Sequence, residues 1–130
     1  MPAKTKPEKN RSAKPKAAKP KSGKPTAARQ AFGDIAPKFA EVTDEVLFGD
    51  VWERPGLSVR DRSILTVTTL IVLYRTNELP YHMRRALDNG VTREEMVEII
   101  THLAFYAGWP VANTAVNVAR QVFADLDAQG

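Results

Sequence analysis

Cysteine is absent from all 130 positions. That removes disulfide frameworks, thiolate metal sites and thiol nucleophiles together, and it fits a reducing compartment. Histidine is nearly as scarce, with only His82 and His102. The glycines stand singly, so there is no phosphate loop, dinucleotide fingerprint or GxSxG elbow. The longest apolar stretch, Ile64–Tyr74, contains three threonines and falls well short of the ~20 residues of a membrane span. The first thirty residues lack the apolar segment of a secretory signal and, being Lys-rich, Pro-broken and Ser-poor, do not resemble a transit peptide. A soluble, cytoplasmic protein without membrane association is the expectation.

The overall charge of +4 hides two opposite regions. Residues 1–30 hold ten Lys or Arg and one Glu, a net +9, whereas residues 31–130 hold nine basic and fourteen acidic residues, a net −5. Lys-Pro recurs through Ala13–Pro25, where no apolar residue is larger than Ala. Such a segment cannot bury enough surface to offset the entropy of ordering, so residues 1–30 are expected to be a disordered basic tail and residues 31–130 one helical domain. Counterion release gives the tail a weak affinity for polyanions. It has no interleaved aromatics for base stacking, so specific nucleic-acid recognition is not indicated. An accessory, non-catalytic assembly subunit with a polyanion-binding tail is the alternative to an enzyme.

The domain divides into helices at its stop signals. Residues Asp34–Phe48 place Ile35, Phe39, Val42 and Val46 at helical spacing, with Pro37 in the first turn. Pro55-Gly56 marks a turn, and Ser58 with Asp61 opens a helix reaching about Tyr74. Residues 64–74 are apolar or Thr on nearly every face, so that helix should be surrounded, and a homo-oligomer is the economical way to do it. A third helix is expected over Asn77–Asn89, with Asn77 as N-cap, Pro80 tolerated in the first turn and Asn89-Gly90 as the stop. Thr92 with Glu95 forms a second capping box, Gly108 ends that helix, and Pro110 starts an amphipathic run over Ala112–Leu126. With no credible strand pair, the class is all-α, five to six helices.

Glu78 and His82 are four residues apart, about 40° around a helix, and Arg75 shares that face if the helix or its lead-in extends back. An Arg, a carboxylate and an imidazole together suit acid–base work on an anionic substrate. The same residues can instead serve structure: Glu78 complements a helix N-terminus, His82 pairs with it, and Arg75 is a surface charge. His102, on a strongly apolar helix, is either a core histidine or a second site residue. No HExxH or His-rich cluster supports a metal site.

Several stretches resemble one family closely. They are Phe48-Gly49-Asp50-Val51-Trp52-Glu53-Arg54-Pro55-Gly56-Leu57, Arg62-Ser63, Arg75-Thr76-Asn77-Glu78-Leu79, and His82 with Arg84-Arg85-Ala86. Asn89-Gly90-Val91-Thr92-Arg93-Glu94-Glu95 and Tyr106-Ala107-Gly108-Trp109-Pro110 running to Asn113 complete the set. In this order they resemble the γ-carboxymuconolactone decarboxylases over about Asp34–Phe123. The resemblance implies an all-helical subunit of the carboxymuconolactone decarboxylase and alkyl hydroperoxide reductase D-like fold, assembling into trimers or hexamers. In thiol-peroxidase members of that fold the two cysteine positions correspond to Arg75 and Glu78 and the histidine to His82, so thiol peroxidase chemistry is excluded here. The resemblance implies cofactor-independent decarboxylation, or related lyase or isomerase chemistry, on a small unsaturated lactone or enol acid. His82 would donate the proton, Glu78 orient it, and Arg75 contact a substrate carboxylate. His102, Trp52 and Trp109 are candidate substrate contacts. Pro80 stands where the decarboxylases tend to carry a basic residue, which points to a less anionic substrate.

Overall fold

The computed structural model describes residues 24–130, and the basic tail expected over residues 1–30 lies for the most part outside them. The described residues form six α-helices with no strand among them, which bears out the all-α expectation. The chain divides after Gly56 into two units.

The first unit opens with α1, Ala27–Phe32, a helix straddling position 30 that the sequence reading did not place. Its cause is local. Thr26 is an N-cap accepting from the Arg29 N–H (3.0 Å), and its hydroxyl donates to Asp44 (2.8 Å). Helix α2 covers Pro37–Val42 with Pro37 in its first turn, so it starts three residues later than Asp34. It then widens into a π-helical segment, Thr43–Phe48. The Thr43 hydroxyl donates to the Phe39 carbonyl (2.7 Å), a side-chain bond that competes with the regular helical ladder. A 3-10 turn, Val51–Glu53, holds Trp52, whose ring packs tilted on Phe48 with centroids 5.8 Å apart. Of the apolar residues at helical spacing here, Ile35 is 83% exposed, and Phe39, Val42 and Val46 are also open to solvent.

The second unit contains α3 (Val59–Val72), α4 (Leu79–Asp88), α5 (Arg93–Ala107) and α6 (Trp109–Gln129). Val67 and Ile71 of α3, Leu79 and Met83 of α4, Met96 and Ile100 of α5, and Ala115 and Val122 of α6 form one buried cluster. Small residues on α6 (Ala112, Ala115 and Ala119) are buried in it, which lets helix backbones approach closely. Both capping signals read from the sequence act. Ser58 accepts from Asp61 N–H (3.0 Å), and Thr92 and Glu95 satisfy each other's backbone N–H at 3.0 and 2.9 Å. Arg60 joins this corner, pairing with the Glu95 carboxylate and donating to the Gly90 carbonyl (3.3 Å). Leu65 and Val72 of α3, and Leu73 just beyond its end, remain exposed.

Helices α3 and α4 end in the same way. At the end of α4, Gly90 N–H bonds the Leu87 carbonyl (3.1 Å) and Val91 N–H the Ala86 carbonyl (2.9 Å), with Gly90 at φ +103°. At the end of α3, Tyr74 N–H bonds Ile71 (3.1 Å) and Arg75 N–H bonds Leu70 (2.8 Å), with Tyr74 at φ +62°. This paired pattern is a Schellman cap, whose left-handed position normally takes glycine. A side chain there costs about 1–2 kcal/mol. The cap ends α3 at Val72 and is followed by a second turn, closed by Leu79 N–H to the Arg75 carbonyl (3.1 Å). Asn77 lies inside that turn, so it is not the N-cap of α4; Glu78 occupies that position.

Candidate active site

The two turns between α3 and α4 bring Arg75 and Glu78 together. The Arg75 guanidinium donates twice to the Glu78 carboxylate, Nε to Oε1 at 3.0 Å and Nη2 to Oε2 at 3.3 Å. One helical turn later, the His82 N–H bonds the Glu78 carbonyl (3.3 Å), which keeps the two residues on one face as their spacing required. Arg75 reaches that face through the lead-in to α4, one of the two routes expected for it. The left-handed Tyr74 breaks the helix, so Arg75 does not extend α4 backwards but meets Glu78 from the preceding turn.

His82 is half-buried, its ring edge-on to Tyr81 with centroids 5.0 Å apart. Burial holds its pKa below the ordinary imidazole value, and the nearby Arg85 charge pushes the same way. The Glu78 charge acts in the opposite direction but does not prevail. Glu78 therefore influences His82 through its charge, while its carboxylate oxygens hold the guanidinium. The contact seen for the Glu78 carboxylate is with the Arg75 guanidinium.

Arg85, three residues beyond His82, was not singled out from spacing, although (i, i+3) neighbours share a helix face. Its guanidinium lies over the Tyr81 ring at 6.0 Å. Arg84, by contrast, turns away to Asp125 of α6 (3.5 Å). Arg75 and Arg85 thus bring two guanidiniums to the neighbourhood of the imidazole, a group type suited to an anion. Tyr74 is a second residue the sequence did not mark, because tyrosine does not signal a left-handed turn. Its hydroxyl shares a hydrogen bond with Thr114 of α6 at 2.9 Å.

The other candidate residues have contacts of their own. His102 sits on the exposed side of α5, stacked on Tyr106 with centroids 4.7 Å apart. It lines an open groove of about 540 Å³ with Ile64, Thr68, Glu98, Ile99, Leu103 and Tyr106. None of Arg75, Glu78 and His82 lines that groove. His102 is thus not a core histidine, in contrast to one of its two expected roles. Trp109 begins α6, largely exposed and edge-on to Phe105 (5.3 Å). Trp52 is buried in the first unit against Phe48.

Comparisons with known proteins agree with this arrangement of motifs. The model of the carboxymuconolactone decarboxylase family matches residues 37–121. The 4-carboxymuconolactone decarboxylase of Acinetobacter baylyi is 41% identical over 93 residues, covering 72% of this chain and 69% of that protein. Nitrosuccinic acid decarboxylase of Metarhizium robertsii is 38% identical over 90 residues, covering 69% and 63%. An uncharacterized 15.0 kDa protein of Paracoccus denitrificans is 31% identical over 87 residues, covering 65% of each. The matched regions thus span just under two thirds of the last two relatives. With the family model covering well over half of its length, the chain belongs to the carboxymuconolactone decarboxylase family.

Proposed function

We propose that this protein is a cofactor-independent decarboxylase of a small carboxylated lactone or related acid, acting through the Arg75–Glu78–His82 site. The observation that carries this is the clustering of a clamped guanidinium and an imidazole on one short segment of a family whose named members include two decarboxylases. 4-Carboxymuconolactone and nitrosuccinic acid both offer a carboxylate whose loss delivers an electron pair towards a lactone carbonyl or a nitro group.

In the proposed reaction the bond from ring carbon to carboxylate breaks and carbon dioxide leaves. The electron pair moves through the double bond onto the lactone carbonyl oxygen, giving a dienolate. Arg75, held in place by Glu78, contacts the retained carboxylate, and the Arg85 charge offsets the negative charge that develops. The His82 imidazolium then protonates carbon and regains its proton from solvent. Its pKa is depressed in the free protein, and an anionic substrate bound beside it favours the charged form. Replacing His82 with Ala is expected to lower turnover of 4-carboxymuconolactone by roughly 10²–10⁴-fold, and Glu78→Gln, which releases Arg75, to lower kcat/KM mainly through KM, read as carbon dioxide release and ultraviolet loss. Full activity in both variants would sink the proposal.

A homo-oligomer, trimer or hexamer, is part of the same proposal. It is supported by the apolar side chains that each unit leaves open, Ile35 and Phe39 in one and Leu65 and Leu73 in the other. No helix among the described residues is long and apolar enough to cross a membrane. With the cysteine-free composition, that suits an enzyme of the cytoplasm.

A further inference from the structure

Among the described residues, Tyr74 is the one non-glycine with positive φ. The matching cap at the end of α4 uses Gly90, so the backbone turn by itself would select glycine. Burial does not explain the tyrosine, because its side chain is largely exposed. What it supplies is a hydroxyl, which meets the Thr114 hydroxyl on α6 across 40 positions of sequence at 2.9 Å. The next residue is Arg75, whose N–H closes the cap onto Leu70 and whose guanidinium grips Glu78. A strained turn persists only where its surroundings over-determine it, and strain of this kind concentrates at functional sites.

We propose that Tyr74 is a positioning residue for the decarboxylase site: its hydroxyl, paired with Thr114, locks the turn that presents the Arg75–Glu78 fork. This rests on the assignment of Arg75, Glu78 and His82 made above. The lock acts on the group that contacts the substrate carboxylate and leaves His82, on α4, untouched. Its loss should therefore appear in KM rather than kcat.

The test uses the full chain with 4-carboxymuconolactone as probe. Tyr74→Phe and Thr114→Val should each raise KM roughly three- to tenfold, the effect of one neutral hydrogen bond, with kcat within about twofold. The double variant should be no worse than either single, since both remove one interaction, and Thr114→Ser should restore KM. Tyr74→Gly should raise KM equally while Tm holds or rises, because glycine relieves the backbone. In amide hydrogen exchange, which needs no substrate, the Arg75 N–H should exchange faster in Tyr74→Phe and Thr114→Val than in the parent. His82→Ala inactive with KM unchanged in Tyr74→Phe and Thr114→Val overturns the positioning role and leaves the site assignment standing. Unchanged Arg75 exchange overturns it as well. His82→Ala with full turnover overturns the site assignment and, with it, this role.

Discussion

A histidine that donates a proton to carbon must be an imidazolium at that moment, yet burial and Arg85 hold His82 below its ordinary value. The pH dependence follows. For the free protein, kcat/KM should fall as pH rises through a value under about 6.5, where the donor form disappears. For the complex, a bound carboxylate favours the imidazolium, so the corresponding limb of kcat should lie at higher pH. A kcat/KM that instead rises through this range would make His82 a base. The same depression links to folding. Between the ordinary imidazole value and the depressed one, the unfolded chain binds more protons than the folded, so stability is present above that window and is lost on acidification through it. Thermal unfolding between pH 7 and 5 should therefore slope less steeply in His82→Gln than in the parent protein, and parallel slopes would contradict it. The shared helix face of Glu78 and His82 was legible because a four-residue spacing sets two side chains on one side of a helix. The route of Arg75 was not, since it depends on a left-handed tyrosine whose preference is set by a hydroxyl partner 40 residues away.

At the scale of helices, the ends that could be read carried their own chemistry. Thr92 and Glu95 satisfy each other's backbone donors whatever surrounds them, so four residues of sequence determine that boundary. Thr92→Ala removes the hydroxyl acceptor for Glu95 N–H and should cost about 1 kcal/mol. That corresponds to a fall in Tm of roughly 4 °C for a domain of this size, measurable by circular dichroism. An unchanged Tm would mean that the Arg60 pairing with Glu95 holds the corner alone. Boundaries set by tertiary partners were less readable. Asn77 has the composition of an N-cap, but the turn closed by Leu79 N–H to Arg75 absorbs it. Helix α1 was hidden by its neighbours, because Thr26-Ala27-Ala28 follows a Lys-Pro run whose composition dominates any window. The π-helical stretch Thr43–Phe48 has no periodicity of its own at six residues, and apolar spacing reads straight through it as α-helix.

At the scale of the whole molecule, the apolar content of residues 64–74 already implied that one chain would not cover α3, and Leu65, Val72 and Leu73 are exposed accordingly. The partner surface of the proposed oligomer is beyond any pattern within one chain, because an isologous or cyclic contact is a property of two surfaces at once. The first unit makes the same demand with Ile35 and Phe39, which are exposed as well. Fully burying one such side chain is worth about 1.5–3 kcal/mol, and in a closed assembly each substitution is repeated in every copy. Leu65→Lys therefore removes that gain from every subunit and adds the cost of desolvating a charge. In the single chain the side chain is 54% exposed, so the helix itself should keep its content and Tm should change little at low concentration. Light scattering coupled to gel filtration separates the two effects. The parent should elute with the mass of three or six chains, Leu65→Lys and Ile35→Lys should shift towards one, and the shift should reverse as protein concentration rises. A parent already at the mass of one chain, or variants that elute as the parent does, would leave the exposed faces of α3 and of the first unit without the partner proposed for them.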